Sequence, residues 1–257
     1  MSPALRTYLR RVLRSGSNGS LRTLSPGEAY DRWAASYRSR MNPLQEIEED
    51  ALVRLLPDLE GKYVLDLGCG TGRISRIALE HGAASTVGVD ISEAMLDQAR
   101  VQSAAFWRDL AESRGEPHSN SDAPARWLNA DVCALPIKAS SFDVVVCALA
   151  LGHVERLGDA LSEMHRVLKV GGSVVISGFH PFASLRGWDR TFKDPSSGQT
   201  YAITQHIHLF QDYFNRFRAH GWTLEAFEEP LYDGYPIVFV LRARKTGRQG
   251  AAEEVEA

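Results

Sequence analysis

Short apolar runs alternate along the middle of the chain with longer stretches of helical spacing. Tyr63–Leu67 is a short apolar run that meets glycines at once, and Arg73–Leu79 behind it reads as a helix. Thr86–Val89 reads as a second strand ending in Asp90, with Ser92 placed to cap a long helix through Ala111. Ser113–Pro124, rich in Ser, Pro and Gly, reads as a loop, and Arg126–Asp131 as a third strand. Phe142–Leu149 (FDVVVCAL) is almost continuously apolar, as expected of a strand buried on both faces. Arg156–Leu168 reads as a helix, ended by Gly171 and Gly172 before a strand over Ser173–Ser177. Strands alternating with helices predict a doubly wound α/β fold, a mainly parallel sheet covered on both sides.

The two ends differ from this alternation. His208–His220 reads as a helix closed by Gly221, and Thr223–Phe227 and Ile237–Arg242 as two strands. Their connection, Glu228–Pro236, suits a hairpin, so the sheet is expected to finish antiparallel. Upstream, Ser25-Pro26 predicts a capped helix start, opening an aromatic-rich helix to about Arg40. Asn42-Pro43 breaks it, and Leu44–Leu56 reads as a second amphipathic helix.

Composition adds little to this picture. A chain of 257 residues has room for one substantial domain with additions, or at most two small ones. A net charge of -3 gives no electrostatic reason to expect a nucleic-acid partner. No apolar run approaches the length of a bilayer-spanning helix. Cys69, Cys133 and Cys147 lack the paired spacing of a zinc site and read as small buried hydrophobes; no metal is expected.

The first residues carry Arg6, Arg10, Arg11, Arg14 and Arg22 with no acid before Glu28. Such a start suits a mitochondrial transit segment. It also suits a short basic helix, with Leu5, Leu9, Val12 and Leu13 on one face, resting on the domain or an anionic surface. The second reading is favoured, which makes a cytoplasmic location the expectation and a mitochondrial one the alternative.

The candidate chemistry starts at the glycines. A strand running straight into G-x-G-x-G makes a turn whose backbone can approach a ligand closely, and the following helix offers unpaired N–H groups. The dinucleotide fingerprint G-x-G-x-x-G/A is the rival, but Arg73 takes the place of its third glycine. Asp66 precedes the turn inside an otherwise apolar strand. A buried carboxylate needs a partner. It suits an ammonium group better than a pyrophosphate.

With these residues in view, the sequence resembles the class I S-adenosylmethionine-dependent methyltransferases over about Tyr30–Lys245. The segments that carry the resemblance are VLDLGCGTG, VGVDIS (Val87–Ser92), NADVCALPIKASSFDVVVCALALGHV (Asn129–Val154) and EMHRVLKVGGSVVIS (Glu163–Ser177). Within the family it is similar to the small-molecule branch, which includes the ubiquinone and menaquinone C-methyltransferases and the malonyl-carrier-protein O-methyltransferases. The resemblance implies a Rossmann-like, seven-stranded sheet with a C-terminal antiparallel hairpin. Together with the basic start and the small, charged, Gly- and Ala-rich end, it divides the chain into a basic extension (1–25), a methyltransferase domain (26–245) and a disordered tail (246–257). The domain would carry a helical cap over 26–60 and a substrate-side insertion over 181–205.

The resemblance also assigns cofactor positions for S-adenosylmethionine. Asp66 with Gly68, Cys69, Gly70 and Gly72 would hold its amino-acid end. Asp90 would accept from the ribose hydroxyls, with Ile91 beside it, and Asp131 would take the adenine amino group, with Val132 against the ring. Ala148, at the end of the fourth strand, belongs to the same set. Tyr30 and Tyr37 would close over the cofactor from the N-terminal helix; packing onto the sheet explains these two equally well, and explains Trp33 between them better.

Catalysis is less legible, because methyl transfer needs positioning more than any universal residue. His153 is the best candidate for a base, although histidines at this place in the family lie near the cofactor. His180, His206 and His208 are further candidates to line a pocket. Arg186, Arg190 and Lys193 in the insertion could bind an anionic acceptor or simply be solvated. The expected function is transfer of the methyl group to a small-molecule acceptor, on oxygen or carbon, with S-adenosylhomocysteine released. A regulator or assembly factor that binds S-adenosylmethionine without transfer is the alternative. An NAD-dependent dehydrogenase is opposed by Asp66 and Arg73.

Overall fold

A computed structural model describes residues 21–37, 43–114, 124–185, 190–194 and 196–247. The basic stretch 1–20, Arg186 and the tail from 248 lie outside the described residues. The chain begins with β1 (Thr23–Leu24) and α1 (Pro26–Trp33). Ser25 caps α1, its hydroxyl accepting from the Glu28 N–H at 3.4 Å, with Pro26 in the first turn. The helix does not run on as far as the sequence suggests. It tightens at Ala34–Ser36 into a 3₁₀ turn, where the Ser36 hydroxyl donates back to the Trp33 carbonyl. Next comes α2 (Pro43–Leu55).

The alternating region holds β2 (Tyr63–Leu67), α3 (Arg73–Glu80), β3 (Ser85–Asp90), α4 (Glu93–Arg114), β4 (Ala125–Asn129), β5 (Phe142–Ala148), α5 (Leu157–Val167) and β6 (Leu168–Phe179). After it come α6 (Pro181–Leu185), β7 (Thr191–Lys193), β8 (Thr200–Ile203), α7 (Phe210–His220), β9 (Trp222–Glu228), β10 (Leu231–Tyr232), β11 (Tyr235–Pro236) and β12 (Val238–Lys245). The central sheet has seven strands in the order β4-β3-β2-β5-β6-β12-β9. The first five are parallel, and β12 lies antiparallel to both β6 and β9. Strand order reverses between β2 and β5, the place where open α/β sheets leave a ligand crevice at the carboxyl ends of their strands.

The strand period of two decides which face each residue meets. Leu65 and Leu67 of β2 join Val145, Cys147 and the α5 residues Leu161 and Met164 in one core. Val64 joins Val144, Val146, Leu52 of α2 and Ile74 and Ile77 of α3 in the other. Asp66, two residues on from Val64, therefore faces α3.

Three boundaries differ from the sequence expectation. The third strand stops at Asn129, so Asp131 sits in the turn beyond it, where its Oδ1 accepts from the Cys133 N–H at 2.8 Å. Gly171 and Gly172 do not end a helix: α5 stops at Val167, and Leu168 is already extended and paired with Phe142. The insertion is also more ordered than its composition suggests. β8 pairs parallel with β1 and antiparallel with β7, making a second, three-stranded sheet. Leu24, Ala29, Phe192, Tyr201 and Ile203 form its own small core. Strands of two to four residues are too short to show an alternation, so periodicity could not reveal them. Thr23–Leu24, from the stretch assigned to the N-terminal extension, are thereby tied to the insertion. Among the described residues no helix is long and apolar enough to cross a membrane.

Candidate cofactor site

A cavity of about 420 Å³ lies at the carboxyl edge of β2, β3 and β5. Its floor is the glycine turn. The N–H groups of Gly68 and Cys69 both donate to the Val89 carbonyl, at 2.8 and 3.0 Å, which ties the turn to the end of β3. The Gly70 N–H donates to Asp90 Oδ2 at 2.8 Å. Gly70 has φ +53, and a side chain on it would meet no protein atom within 4 Å. Gly72 stands apart from the other glycines of the turn. It does not line the cavity; it starts α3 in a left-handed conformation, and the Trp127 indole packs so close that a Cβ would overlap the ring.

Asp66 is fully buried from bulk solvent and lines the cavity. Its Oδ2 accepts from both the N–H and the hydroxyl of Ser75, at 2.9 and 2.8 Å. Ser75 is the third residue of α3, so the carboxylate also caps a helix start, where negative charge is favourable. Burial nevertheless pushes its pKa up to about 6. Asp90 accepts from Gly70 and, through Oδ1, from the Ser92 N–H at 2.9 Å. Burial raises its pKa too, against the pull of those backbone N–H groups. Asp131 stands at the rim, its side chain 47% exposed, with Arg156 3.6 Å away. Ile91, Val132, Cys69 and Ala148 line the same cavity.

The roof comes from far away in sequence. Tyr30 and Tyr37 line the cavity, their rings 6.2 Å apart, whereas Trp33 turns away and stacks on Phe192 of the small sheet at 5.1 Å. The Tyr30 hydroxyl lies 3.0 Å from His153 Nε2, and His153 Nδ1 lies 2.9 Å from the Thr204 carbonyl. A carbonyl can only accept, so Nδ1 carries the proton and Nε2 accepts from Tyr30. Burial, with Arg190 nearby, lowers the His153 pKa to about 4, and burial holds the Tyr30 phenol well above its ordinary value. Both are neutral at pH 7.

The matches with known proteins fall on this architecture. The model of the methyltransferase domain described as "Methyltransferase domain" matches residues 65–176, from β2 to β6. Malonyl-(acyl-carrier protein) O-methyltransferase of Salmonella typhimurium is 36% identical over 149 residues, 58% of this chain and 51% of that protein. Demethylmenaquinone methyltransferase of Clavibacter sepedonicus is 33% identical over 179 residues, 65% of this chain and 66% of that protein. The solved structure of an S-adenosylmethionine-dependent methyltransferase from Mesorhizobium loti superposes with a TM-score of 0.60 at 25% identity, covering 77% of this chain and 98% of that one. The chain carries a class I S-adenosylmethionine-dependent methyltransferase domain. It spans about half the length of the first curated relatives it matches.

Several residues of this methyltransferase domain that shape the cavity were not singled out by sequence reasoning. Arg73 was read only as an obstacle to a dinucleotide. It lines the cavity and reaches Glu48 at 2.7 Å and Glu49 at 2.8 Å, both on α2. Glu48 is completely buried and also accepts from the Ser177 hydroxyl at 2.5 Å. Replacing Arg73 with methionine strands that carboxylate, and a loss of about 3 kcal/mol of stability is expected. Thermal melting checks this; an unchanged midpoint would mean the pair does not hold α2 in place. Asp31 Oδ1 accepts from the Ser92 hydroxyl at 2.6 Å, joining α1 to the start of α4. Gln45 donates to the Tyr37 hydroxyl at 3.3 Å. An ordinary surface helix would carry the same Glu48, Gln45 and Asp31, so no sequence signal marks them.

The remaining candidates separate. His180 is engaged with Glu229 at 2.8 Å, away from the main cavity. His206 and His208 stack on each other beside a side pocket of about 20 Å³, and His208 Nε2–H donates to the Val154 carbonyl at 2.7 Å. Of the insertion cations, Arg190 lines the cavity, Lys193 is exposed and does not, and Arg186 lies outside the described residues. The cysteines also divide: Cys147 is buried, but Cys133 is only half-buried and lines the cavity with Cys69.

Proposed function

We propose that the chain binds S-adenosylmethionine in this cavity and transfers its methyl group to a small-molecule acceptor, on oxygen or carbon. The observation that carries the reading is the spacing of acids around one enclosed space: Asp66 at the buried end, Asp90 beside the glycine turn and Asp131 at the rim. The donor set fits the cofactor. Both bonds from Ser75 fall on one oxygen of Asp66, which leaves Oδ1 for an ammonium group. Asp90 keeps an acceptor position on each oxygen for ribose hydroxyls beyond its backbone bonds. Val132 and Ile91 offer apolar surface to a purine, and Asp131 an acceptor for its amino group.

When bound, S-adenosylmethionine supplies a methyl group already activated on a sulfonium. The protein's part is to orient the acceptor in line with that group and to exclude water. Tyr30 and Tyr37 close the space from above, and their ring faces suit a cation. The names of the bacterial relatives support small-molecule methylation, and their sources favour a cytoplasmic location over a mitochondrial one.

Asp90→Ala is expected to weaken S-adenosylmethionine binding by roughly 100-fold, because it removes hydrogen bonds to a charged acceptor and leaves the Gly70 N–H without its partner. Titration calorimetry measures this directly. Wild-type protein that binds neither S-adenosylmethionine nor S-adenosylhomocysteine would end the proposal.

A further inference from the structure

Two consecutive residues fasten α1 to opposite banks of the crevice. Tyr30 reaches His153, after β5, and Asp31 reaches Ser92, after β3; in the sheet these two strands flank β2 and its glycine turn. Neighbouring residues on a helix point about 100° apart, so a short helix laid across the crevice can grip both sides at once. Gly27 and Tyr30 of α1 line the cavity itself.

The Asp31 attachment ends on a residue that also serves Asp90. Ser92 is completely buried. Its hydroxyl oxygen accepts from the Met95 N–H at 3.1 Å, which caps the start of α4, and its own N–H donates to Asp90 Oδ1 at 2.9 Å. The hydroxyl has one proton to give, and Asp31 Oδ1 takes it at 2.6 Å, the short range of a bond to an ionised carboxylate. One serine thus bonds to two carboxylates through different atoms. Ile91, between Asp90 and Ser92, lines the cavity, and a Cβ on Gly27 would lie 3.9 Å from its Cγ2. Holding Ser92 to α1 therefore closes the cavity wall at the end where Asp90 stands.

We propose that Asp31 is a positioning residue for the cofactor: through Ser92 it ties α1 to the β3 bank and keeps Asp90 turned toward the ribose hydroxyls. Asp31 is exposed and does not line the cavity, so it acts by way of its neighbours. The N–H groups of Gly70 and Ser92 each hold one oxygen of Asp90, so the plane of that carboxylate turns when Ser92 moves.

Asp31 can affect the ribose only if Asp90 binds it, so this assignment rests on the proposed cofactor site. Calorimetry with S-adenosylhomocysteine and with its dideoxyribose analogue, which lacks both ribose hydroxyls, separates the two. Asp31→Ala is expected to weaken S-adenosylhomocysteine binding by roughly 10-fold, while Asp31→Asn, which keeps an acceptor oxygen, stays within about threefold of wild type. The ligand-free melting point should move by no more than about 2 °C in either variant. Loss of the two hydroxyls should cost the wild type roughly 100-fold and Asp31→Ala only about 10-fold, so that the analogue binds both proteins alike. In a Ser92→Ala background, Asp31→Ala should have no further effect. Equal weakening of both ligands would mean that Asp31 merely steadies the helix. Unchanged affinity in Asp31→Ala, no recovery in Asp31→Asn, or a full further loss in the Ser92→Ala background would likewise overturn its role and leave the cofactor site standing. Wild-type protein that failed to bind S-adenosylhomocysteine, or bound both ligands equally, would instead overturn the cofactor site or its ribose end, and the role of Asp31 with it.

Discussion

Gly70→Val is expected to weaken S-adenosylmethionine binding by at least about 100-fold in a chain that still folds. A valine here meets two separate penalties. The left-handed φ of +53 is costly for a β-branched residue, by about 1–2 kcal/mol, which the fold can absorb. The second penalty falls on the ligand. No protein atom lies within 4 Å of the position a Cβ would take, and Gly70 lines the cavity, so the new side chain occupies cofactor space. The measurement is calorimetry alongside a thermal melt. Retained affinity in a folded variant would show that the turn is not the cofactor floor.

The second large effect is at Asp66, where stability and binding should move in opposite directions. Its folded pKa of about 6 lies above the ordinary value of 3.8. Between those values the folded state holds more proton than the unfolded state, so the stability Asp66 contributes falls as pH rises from about 4 to about 6. Above that window the ionised, buried group costs about 3 kcal/mol in the absence of a partner. Asp66→Asn can keep both Ser75 bonds on its amide oxygen and removes the charge. The ligand-free variant should therefore melt several degrees higher at pH 7 and gain little at pH 4.

Binding should suffer in the same variant. Under the proposed function the carboxylate meets the cofactor's ammonium, and losing that charge should cost roughly 100-fold in affinity. In the wild type, affinity should strengthen as pH rises through about 6, since the ammonium favours the ionised form. A lower melting point for Asp66→Asn at pH 7 would mean Asp66 is a stabilising cap alone. An affinity independent of pH between 5 and 7 would remove its proposed role.

Much of this site could be read from the chain because its chemistry is local. A glycine turn directly after a strand, with acids at strand ends, is written in consecutive residues, and Asp66, Gly70 and Asp90 stand together as that spacing requires. Gly72 packs against Trp127 of β4 and stands off the cavity lining, because the spacing places a glycine without saying what approaches it. Asp131 kept its place at the cavity although its strand ended early, because the turn after β4 follows the same edge.

The sequence by itself determined the order of the strands and helices that build the main sheet, the class of fold and the glycine turn with its acids. These follow from side-chain period and backbone conformation, which nearby residues impose. The tertiary structure alone decided that Glu48 is buried against Arg73, that Thr23–Leu24 pair with β8, and that Tyr30 meets His153 across 123 residues. Contacts at such separation depend on how the elements pack, and no local pattern encodes them. The acids around the glycine turn were legible for the first reason; the roof that Tyr30 and His153 make above them became visible only through the second.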